Sequence, residues 1–448
     1  MSKTVKIRRG ANIKLVGAAE KTTSDATIPS SFAIKPSDFH GMVPKMLLKE
    51  GAEVKAGTPI FYDKKNERIK FVSPVSGEIA EIVRGAKRRI LEVRIVADKE
   101  QKHETGNPID ITSLDKAKMS EVIMDAGLWP FIKRRPYDII ADPTEAPKSI
   151  FISGFDSAPL GVDMDYILEG READFQKGVD ALSKLTEGKV HVNVQAGSGT
   201  FMANSKNAQV NTISGPHPAG LPGIQIHHID PINKGDVVWV VGAQEAAIIG
   251  RYLNTGRPDF SKRIALAGSE VKKPRYFNTW IGANVQSVIE GQLNDGDIRI
   301  IDGNVLTGTQ LTPEGYIGFY SNMVSVIPEG REPQFLGWIA PNLHKFSLSH
   351  SYFSWLMPSK KYELNTNMNG EDRAFVMSGQ YEDVLPMDIY PVHLIKAIMT
   401  NDIEKMEALG IYEVAPEDLA LCEYACTSKT EVQRLIRQGI DTAIEELG

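Results

Sequence analysis

A chain of 448 residues, 42% apolar and 24% charged, has material for about three packed domains of ~150 residues, and its composition is that of an ordinary globular protein. Its net charge of −6 gives no basic surface for nucleic acid, and its most apolar run, 236–250, is broken by Gln244 and Glu245, short of the roughly 20 apolar residues of a membrane span. Two cysteines, Cys422 and Cys426, exclude a disulfide framework and fit a reducing compartment, and no apolar run follows the basic start at Lys3, Lys6, Arg8 and Arg9 to make a secretory signal.

Residues 1–35 read as an N-terminal arm with Gly10-x-x-x-x-Leu15-x-Gly17 and Glu20. Residues 36–100 read as short strands between turn signals, in two similar stretches, 43–61 and 73–85. Lys49-Glu-Gly-x-x-Val-x-x-Gly57 and Ser73-Pro-x-x-Gly77 resemble the biotinyl/lipoyl carrier fold, a barrel-sandwich. In carriers a modified lysine sits in a tight turn between those elements, and Asp63-Lys64 mimics that pair. The distance from Lys64 to Ser73-Pro74 exceeds the carrier pattern, so Lys64 and Lys65 are expected to be unmodified residues of a solvated hairpin.

Residues 101–255 alternate between helical and strand periods, which predicts a Rossmann-like α/β domain with a mostly parallel sheet. The spacing of Met119, Val122, Ile123 and Ala126 predicts a helix over 115–126, and a second helix is expected over 175–185. Strands are expected at 149–153, 190–194 and 237–241. Two glycine loops follow strands: 195–200, with Gly197 and Gly199, and 214–223, with Gly215, His217, Gly220 and Gly223. Such loops can cradle phosphates with backbone amides. In the first, Met202 and Ala203 follow where the dinucleotide fingerprint needs a third glycine. Gly197, Gly199, His217, Gly220 and Gly223 are therefore weak cofactor-binding candidates, and tight strand–loop turns are the expectation. His227 and His228, read on a strand, would point to opposite faces and so share no metal.

Residues 256–330 resemble a soluble-ligand-binding β-grasp: a strand at 262–268, a helix at 281–293 with Val285, Val288, Ile289 and Leu293, and a strand at 298–301 leading into the Asp302-Gly303 turn. Strand-like stretches at 312–327 and 334–339 make 331–380 a β-rich connection with a polar loop at 365–370. Residues 381–448 form a helical domain. Ile395, Ile398, Met399, Ile403, Met406 and Leu409 keep helical spacing, with Asn401 as a cap and Gly410 as a stop. A capping box, Ser428-x-x-Glu431, is expected to start a last helix whose apolar face holds Val432, Leu435, Ile436, Ile440, Ala443, Ile444 and Leu447.

This order of modules, with the 10–20 motif, Ser73-Pro-Val-Ser-Gly-Glu78, Gly215-Pro-His-Pro-Ala-Gly-Leu-Pro-Gly223 and Leu421-Cys-Glu-Tyr-Ala-Cys-Thr-Ser-Lys-Thr-Glu431, resembles the A-subunit family of the Na+-translocating NADH:quinone oxidoreductases across essentially the whole chain. The resemblance implies a peripheral subunit on the cytoplasmic side of a bacterial inner membrane. Its complex oxidises NADH, reduces ubiquinone and pumps sodium ions out. The implied partners are the other five subunits, chiefly a membrane subunit, and quinone. Flavins and iron–sulfur centres reside in those other subunits, so this chain acts in assembly and docking, with no catalytic residue. Two alternatives stand beside it: a quinone-binding subunit of the same complex, and an electron-carrying flavin and iron–sulfur subunit of a related ferredoxin:NAD+ oxidoreductase. Cluster-bearing relatives use Cys-x-x-Cys-x-x-Cys-x-x-x-Cys-Pro, four thiolates for one [4Fe–4S] centre. Cys422 and Cys426 match the last two, Leu419 and Pro416 stand at the first two, and Thr427 replaces the proline. The cysteines then read as relics, in a cluster-free ferredoxin-like domain without metal.

Overall fold

The first 34 residues, expected as an arm, thread three sheets in turn. Three strands this short gain stability only by joining larger sheets. Thr4–Lys6 pairs parallel with Gln209–Ser214, Glu20–Asp25 with Arg275–Trp280, and Ser31–Ile34 antiparallel with Ile90–Ala97. The computed structural model describes residues 2–26, 29–332, 335–337 and 343–447.

The next unit is a barrel-sandwich of two small sheets. One has the order Ser31–Ile34, Ile90–Ala97, Gly77–Arg84, Glu53–Val54, and the other Pro44–Met46, Pro59–Asp63, Asn66–Val72. Phe61 stacks on Phe71 at 4.7 Å and Phe39 tilts onto Phe71 at 4.4 Å, which fixes the core between them.

A seven-stranded sheet follows. Its order is Thr4–Lys6, Gln209–Ser214, Lys189–Gln195, Ser149–Ser153, Val238–Val241, then the antiparallel pair Ile132–Arg135 and Ile139–Ile140. The first five strands are parallel. The helix at Lys116–Asp125 starts where expected, with the Asp115 carboxylate accepting from the Lys118 amide. Helices Glu172–Ser183 and Ala243–Thr255 cross at their glycines: a Cβ on Gly178 would lie 2.0 Å from Ala246 O, and one on Gly250 1.8 Å from Asp174 O.

The third sheet is six-stranded and mixed: Thr309–Leu311, Ile298–Asp302, Met323–Pro328, Ser261–Ala267, Arg275–Trp280, Glu20–Asp25. The helix expected over 281–293 shrinks to one turn, Gln286–Ile289, because Gly282 and Gly291 take left-handed φ values that end it on both sides. Ile281 and Val285 are buried from the loop before that turn, and Val288 and Ile289 from the turn itself. Of the expected strand over 312–327, only Met323–Pro328 forms.

The β-rich connection expected over 331–380 is also corrected. No strand forms there among the described residues; the segment is irregular, with a 3-10 turn at Phe353–Leu356 and one bridge, Leu15 to Tyr362. The Asn365 and Asn367 side chains bend it by accepting from the Asn367 and Asn369 amides, chemistry that competes with a ladder. Residues 334 and 338–339 of one expected strand lie outside the described residues, and 335–337 form a turn.

The C-terminal helices Pro391–Met399, Ile403–Ala408, Ala420–Ala425 and Val432–Leu447 pack as expected, but two caps differ. Asp402, not Asn401, caps its helix through the Lys405 amide, and Asn401 takes a left-handed φ of 54°. Ser428 donates to Ala374 O rather than closing a capping box. Of the last helix's expected apolar face, Leu447 is exposed and Ile444 half-buried. One continuous buried core runs from Ile7 to Ala443 through all these units.

Candidate functional site: the carboxyl edge of the parallel sheet

In open parallel α/β sheets, ligands bind beyond the carboxyl ends of the strands, at the crevice where strand order reverses. Here Ser149–Ser153 is followed spatially by Lys189–Gln195 on one side and Val238–Val241 on the other, so that crevice lies between Gly154 and Gly242. It is filled by the chain itself. Glu245, in the first turn of the helix after Gly242, pairs with Lys262 Nζ at 2.8 Å, both side chains buried. Gln244 accepts from the Arg263 amide and donates to Asn322 Oδ1. A Cβ on Gly242 would lie 1.9 Å from the Glu245 carboxylate. The neighbouring mixed sheet, through Lys262 and Arg263, thus packs against the first turn of this helix.

The loop at 195–200 is open. Gly197 and Gly199 have φ of 75° and 66°, and a Cβ on either would meet nothing within 4 Å. The loop runs into a four-residue 3-10 turn, Phe201–Asn204, rather than an α-helix. It therefore lacks the aligned amides of a helix N-terminus that hold a phosphate. Thr200 caps that turn, and its hydroxyl donates to Asp165.

The loop at 214–223 is a junction. Every glycine in it faces other backbone or a carboxylate: a Cβ on Gly215 would lie 2.4 Å from Ile7 O, on Gly220 2.7 Å from the Ser157 amide, and on Gly223 2.3 Å from Asp418 Oδ2. A Cβ on Gly10 would lie 2.1 Å from His217 O. The His217 amide donates to Asn12 Oδ1, and its Nδ1 lies 3.1 Å from Ser157 Oγ. Its Nε2 is buried without a partner among the described residues, and burial pushes the imidazole down to about 4, so the ring is neutral near pH 7. With no carboxylate behind it among the described residues and the ring buried, the Ser157–His217 pair lacks the orienting third group of a nucleophilic site.

The histidine reading is corrected: His227 and His228 sit on the helix Pro222–Ile229, which Pro222 at its first turn could have signalled. His227 Nδ1 meets Glu413 at 2.9 Å while Nε2 accepts from the Asp388 amide, and His228 Nε2 meets Pro386 O at 2.8 Å. Both pin the C-terminal helices. No group of three or more His, Cys, Asp or Glu side chains could hold a metal among the described residues.

Sequence reasoning missed the main charged cluster. Arg135, 2% exposed, meets Asp418 at 2.9 Å and Glu417 at 2.6 Å, and Asp138 lies against Lys133, Arg135 and Arg437 at 3.5–3.8 Å. Burial raises Glu417 to about 7 against the pull of Arg135. Burial raises Asp418 too, whereas the three cations outweigh burial and hold Asp138 below the usual carboxylate range. The cluster joins the sheet's antiparallel edge to the C-terminal domain beneath Gly223. The only signals in the chain are Lys133-Arg-Arg135 and Glu417-Asp418.

Lys64 and Lys65 are exposed at the two-residue tip between Pro59–Asp63 and Asn66–Val72, and Asp63 Oδ1 accepts from the Val43 and Lys65 amides. Cys422 and Cys426 are both buried. Burial pushes the Cys422 thiol up; at Cys426 burial is outweighed by hydrogen bonds from Tyr381 and the Thr430 amide, which lower it.

Residues 5–98 match a family model described as the NqrA N-terminal barrel-sandwich hybrid domain, 114–258 the NqrA second alpha/beta domain, and 263–312 the NQRA C-terminal domain. The chain is 38% identical, over 99% of its length and 100% of the relative's, to the A subunit of the Na(+)-translocating NADH-quinone reductase of Photorhabdus laumondii. It is 37% identical, over the same shares, to the protein of the same name from Neisseria meningitidis serogroup A. Among solved structures it is similar to a NAD+-reducing [NiFe]-hydrogenase in the air-oxidised state, at a TM-score of 0.39 and 13% identity over 74% of this chain and 61% of that one.

Proposed function

The chain belongs to the family of the A subunits of Na+-translocating NADH-quinone reductase, and on that footing we propose that it is the peripheral docking subunit of this translocase, with no redox centre of its own. Its partners are the other subunits, chiefly a membrane subunit, on the cytoplasmic face of the inner membrane. NADH, ubiquinone, flavins, iron–sulfur centres and Na+ are handled through those subunits. No helix among the described residues is long and apolar enough to cross a membrane, so attachment runs through partners. The observation that carries the reading is the filled crevice: Glu245 and Lys262 pair where an α/β electron carrier would take its nucleotide.

The test is co-expression with the other subunits and purification through a tag on this chain. The other subunits co-elute, while the chain expressed alone is free of flavin and iron and binds neither NADH nor FMN tighter than about 1 μM, a threshold of about 8 kcal/mol. Stoichiometric flavin or iron on the isolated chain would give the role to an electron-carrying subunit instead.

A further inference from the structure

Residues 343–361 hold Lys345, Lys360 and Lys361 and no acidic residue, in a chain whose net charge is −6. Their backbone forms a knuckle. Ser354, 1% exposed, donates its hydroxyl to Lys345 O at 2.5 Å, and its carbonyl accepts from the Met357 amide at 3.0 Å and the Tyr362 hydroxyl at 3.3 Å. With Ser354 turned inward, Phe353, Trp355 and Leu356 are turned out, at 55, 50 and 61% exposure, beside Leu343 at 48%. The knuckle is seated firmly: the Tyr362 amide donates to Lys14 O, the Val16 amide donates to Tyr362 O, and Phe346 packs between Tyr362 and Tyr424. Large apolar side chains clustered on a surface mark a contact site.

We propose that this knuckle is a docking surface for another subunit of the complex, one that offers an apolar pocket with acidic residues on its rim. The inference rests on the docking role proposed above and names the surface that performs it. Charge sets the partner's chemistry: the segment is cationic and carries no carboxylate, so an acidic rim complements it. The knuckle is preorganised: Lys360 Nζ is bent back onto Leu343 O and Lys345 Nζ onto Gly337 O and Asn369 Oδ1, while Lys361 is exposed. A fixed shape favours a protein with a matching pocket over a lipid surface, which selects charge and apolar area without shape. The apolar tips are bordered by Ser347, Ser349 and Ser351, linked hydroxyl to hydroxyl at 3.1 and 2.7 Å. A preorganised aromatic anchor with a polar border is the anatomy of a protein interface hot spot.

The experiment uses the co-expressed complex, purified in detergent through a tag on a membrane subunit. Trp355→Ser/Leu356→Ser should lower retention of this chain about tenfold, while its melting temperature as an isolated chain stays at the parent value. Leu91→Ser, an exposed apolar change on the barrel-sandwich, should retain normally. Lys361→Glu, at an exposed position, should also lower retention. In the parent complex a zero-length carbodiimide should link Lys361 to a carboxylate of another subunit. The isolated chain should not float with vesicles of phosphatidylglycerol and phosphatidylethanolamine. A parent chain that co-purifies, with both variants retained equally and no such cross-link, would overturn the inference and leave the docking role standing. Flotation of the parent that the apolar variant loses would overturn it in favour of lipid. A parent chain that never co-purifies would bring down the docking role, and this inference with it.

Discussion

Replacing Arg135 with Met should destabilise the isolated chain by about 3–5 kcal/mol near pH 8, because it strands buried carboxylates. Arg135 is 2% exposed and holds Asp418 at 2.9 Å and Glu417 at 2.6 Å. Without it, Asp418 keeps the Ala415 amide as its one donor among the described residues, and burial disfavours its ionised form. Removing one partner of a buried pair carries that cost, whereas neutralising the whole group is far less harmful. The variant Arg135→Met/Glu417→Gln/Asp418→Asn should therefore recover more than half the loss. Urea titration of each variant, read by far-ultraviolet dichroism, gives the comparison, and the melting temperature of the single variant should fall by roughly 3–5 °C, since a cooperative chain of 448 residues shifts about 1 °C per kcal/mol. Arg434→Met, whose pair with Glu431 is about two-thirds exposed on both sides, should leave the midpoint unchanged. A loss below about 1 kcal/mol for Arg135→Met, or a triple variant as unstable as the single one, would refute this reasoning.

Gly223→Ala should loosen the same junction from its other side, since the new Cβ would lie 2.3 Å from Asp418 Oδ2; a cost of about 1–3 kcal/mol in the same titration is expected, and a neutral result would mean that the C-terminal domain can shift freely. Stability should also depend on pH through Glu417. Burial raises this acid from 4.5 to about 7, so the native state holds its proton more tightly, and the stabilisation present below about 4.5 is lost as pH rises through about 7. Solvent reaches 35% of the side chain and reduces the effect; Glu417→Gln should flatten that part of the profile of melting temperature against pH. Anaerobically purified chain should contain no iron or acid-labile sulfide, and Cys422→Ala/Cys426→Ala should leave the activity of the complex unchanged; stoichiometric iron lost in that variant would contradict this. The intact mass should match the unmodified chain at Lys64 and Lys65, and a lipoyl or biotinyl increment would contradict it.

What was legible in the chain was local. The helix at Lys116–Asp125 and the strand at Ser149–Ser153 announce themselves by apolar spacing and a cap, and both form where that spacing puts them. The 281–293 stretch has helical spacing too, yet only the turn Gln286–Ile289 forms, because two glycines with left-handed φ end the helix before it lengthens. The histidine pair was misplaced for a related reason: a short apolar run reads equally as strand or helix, and Pro222 was the deciding residue. The ion cluster could not be read at all. Arg135 and Asp418 are 283 positions apart, and charges so far separated carry no periodic signal.

The same uncertainty attached to the glycine loops, and there geometry decides what composition cannot. A phosphate cradle and a packed junction both require glycine, but for different neighbours. In a cradle, the space a Cβ would fill belongs to the ligand and stays empty in the chain alone, with amides aimed into it. In a junction, that space belongs to the chain's own backbone. Gly197 and Gly199 pass the first half of the criterion and fail the second: the space is empty, but no helix N-terminus aims into it. Gly215, Gly220 and Gly223 fail the first half, since Ile7, Ser157 and Asp418 already stand there. The loop with the most distinctive sequence is thus distinctive because the N-terminal strand, the parallel sheet and the C-terminal helices converge on it at van der Waals distance. The docking role proposed above calls for that kind of rigidity within the chain. It follows that Gly215, Gly220 and Gly223 substitutions should act on stability and on assembly together, whereas substitutions at Gly197 and Gly199 should be felt only through the strain of their positive φ.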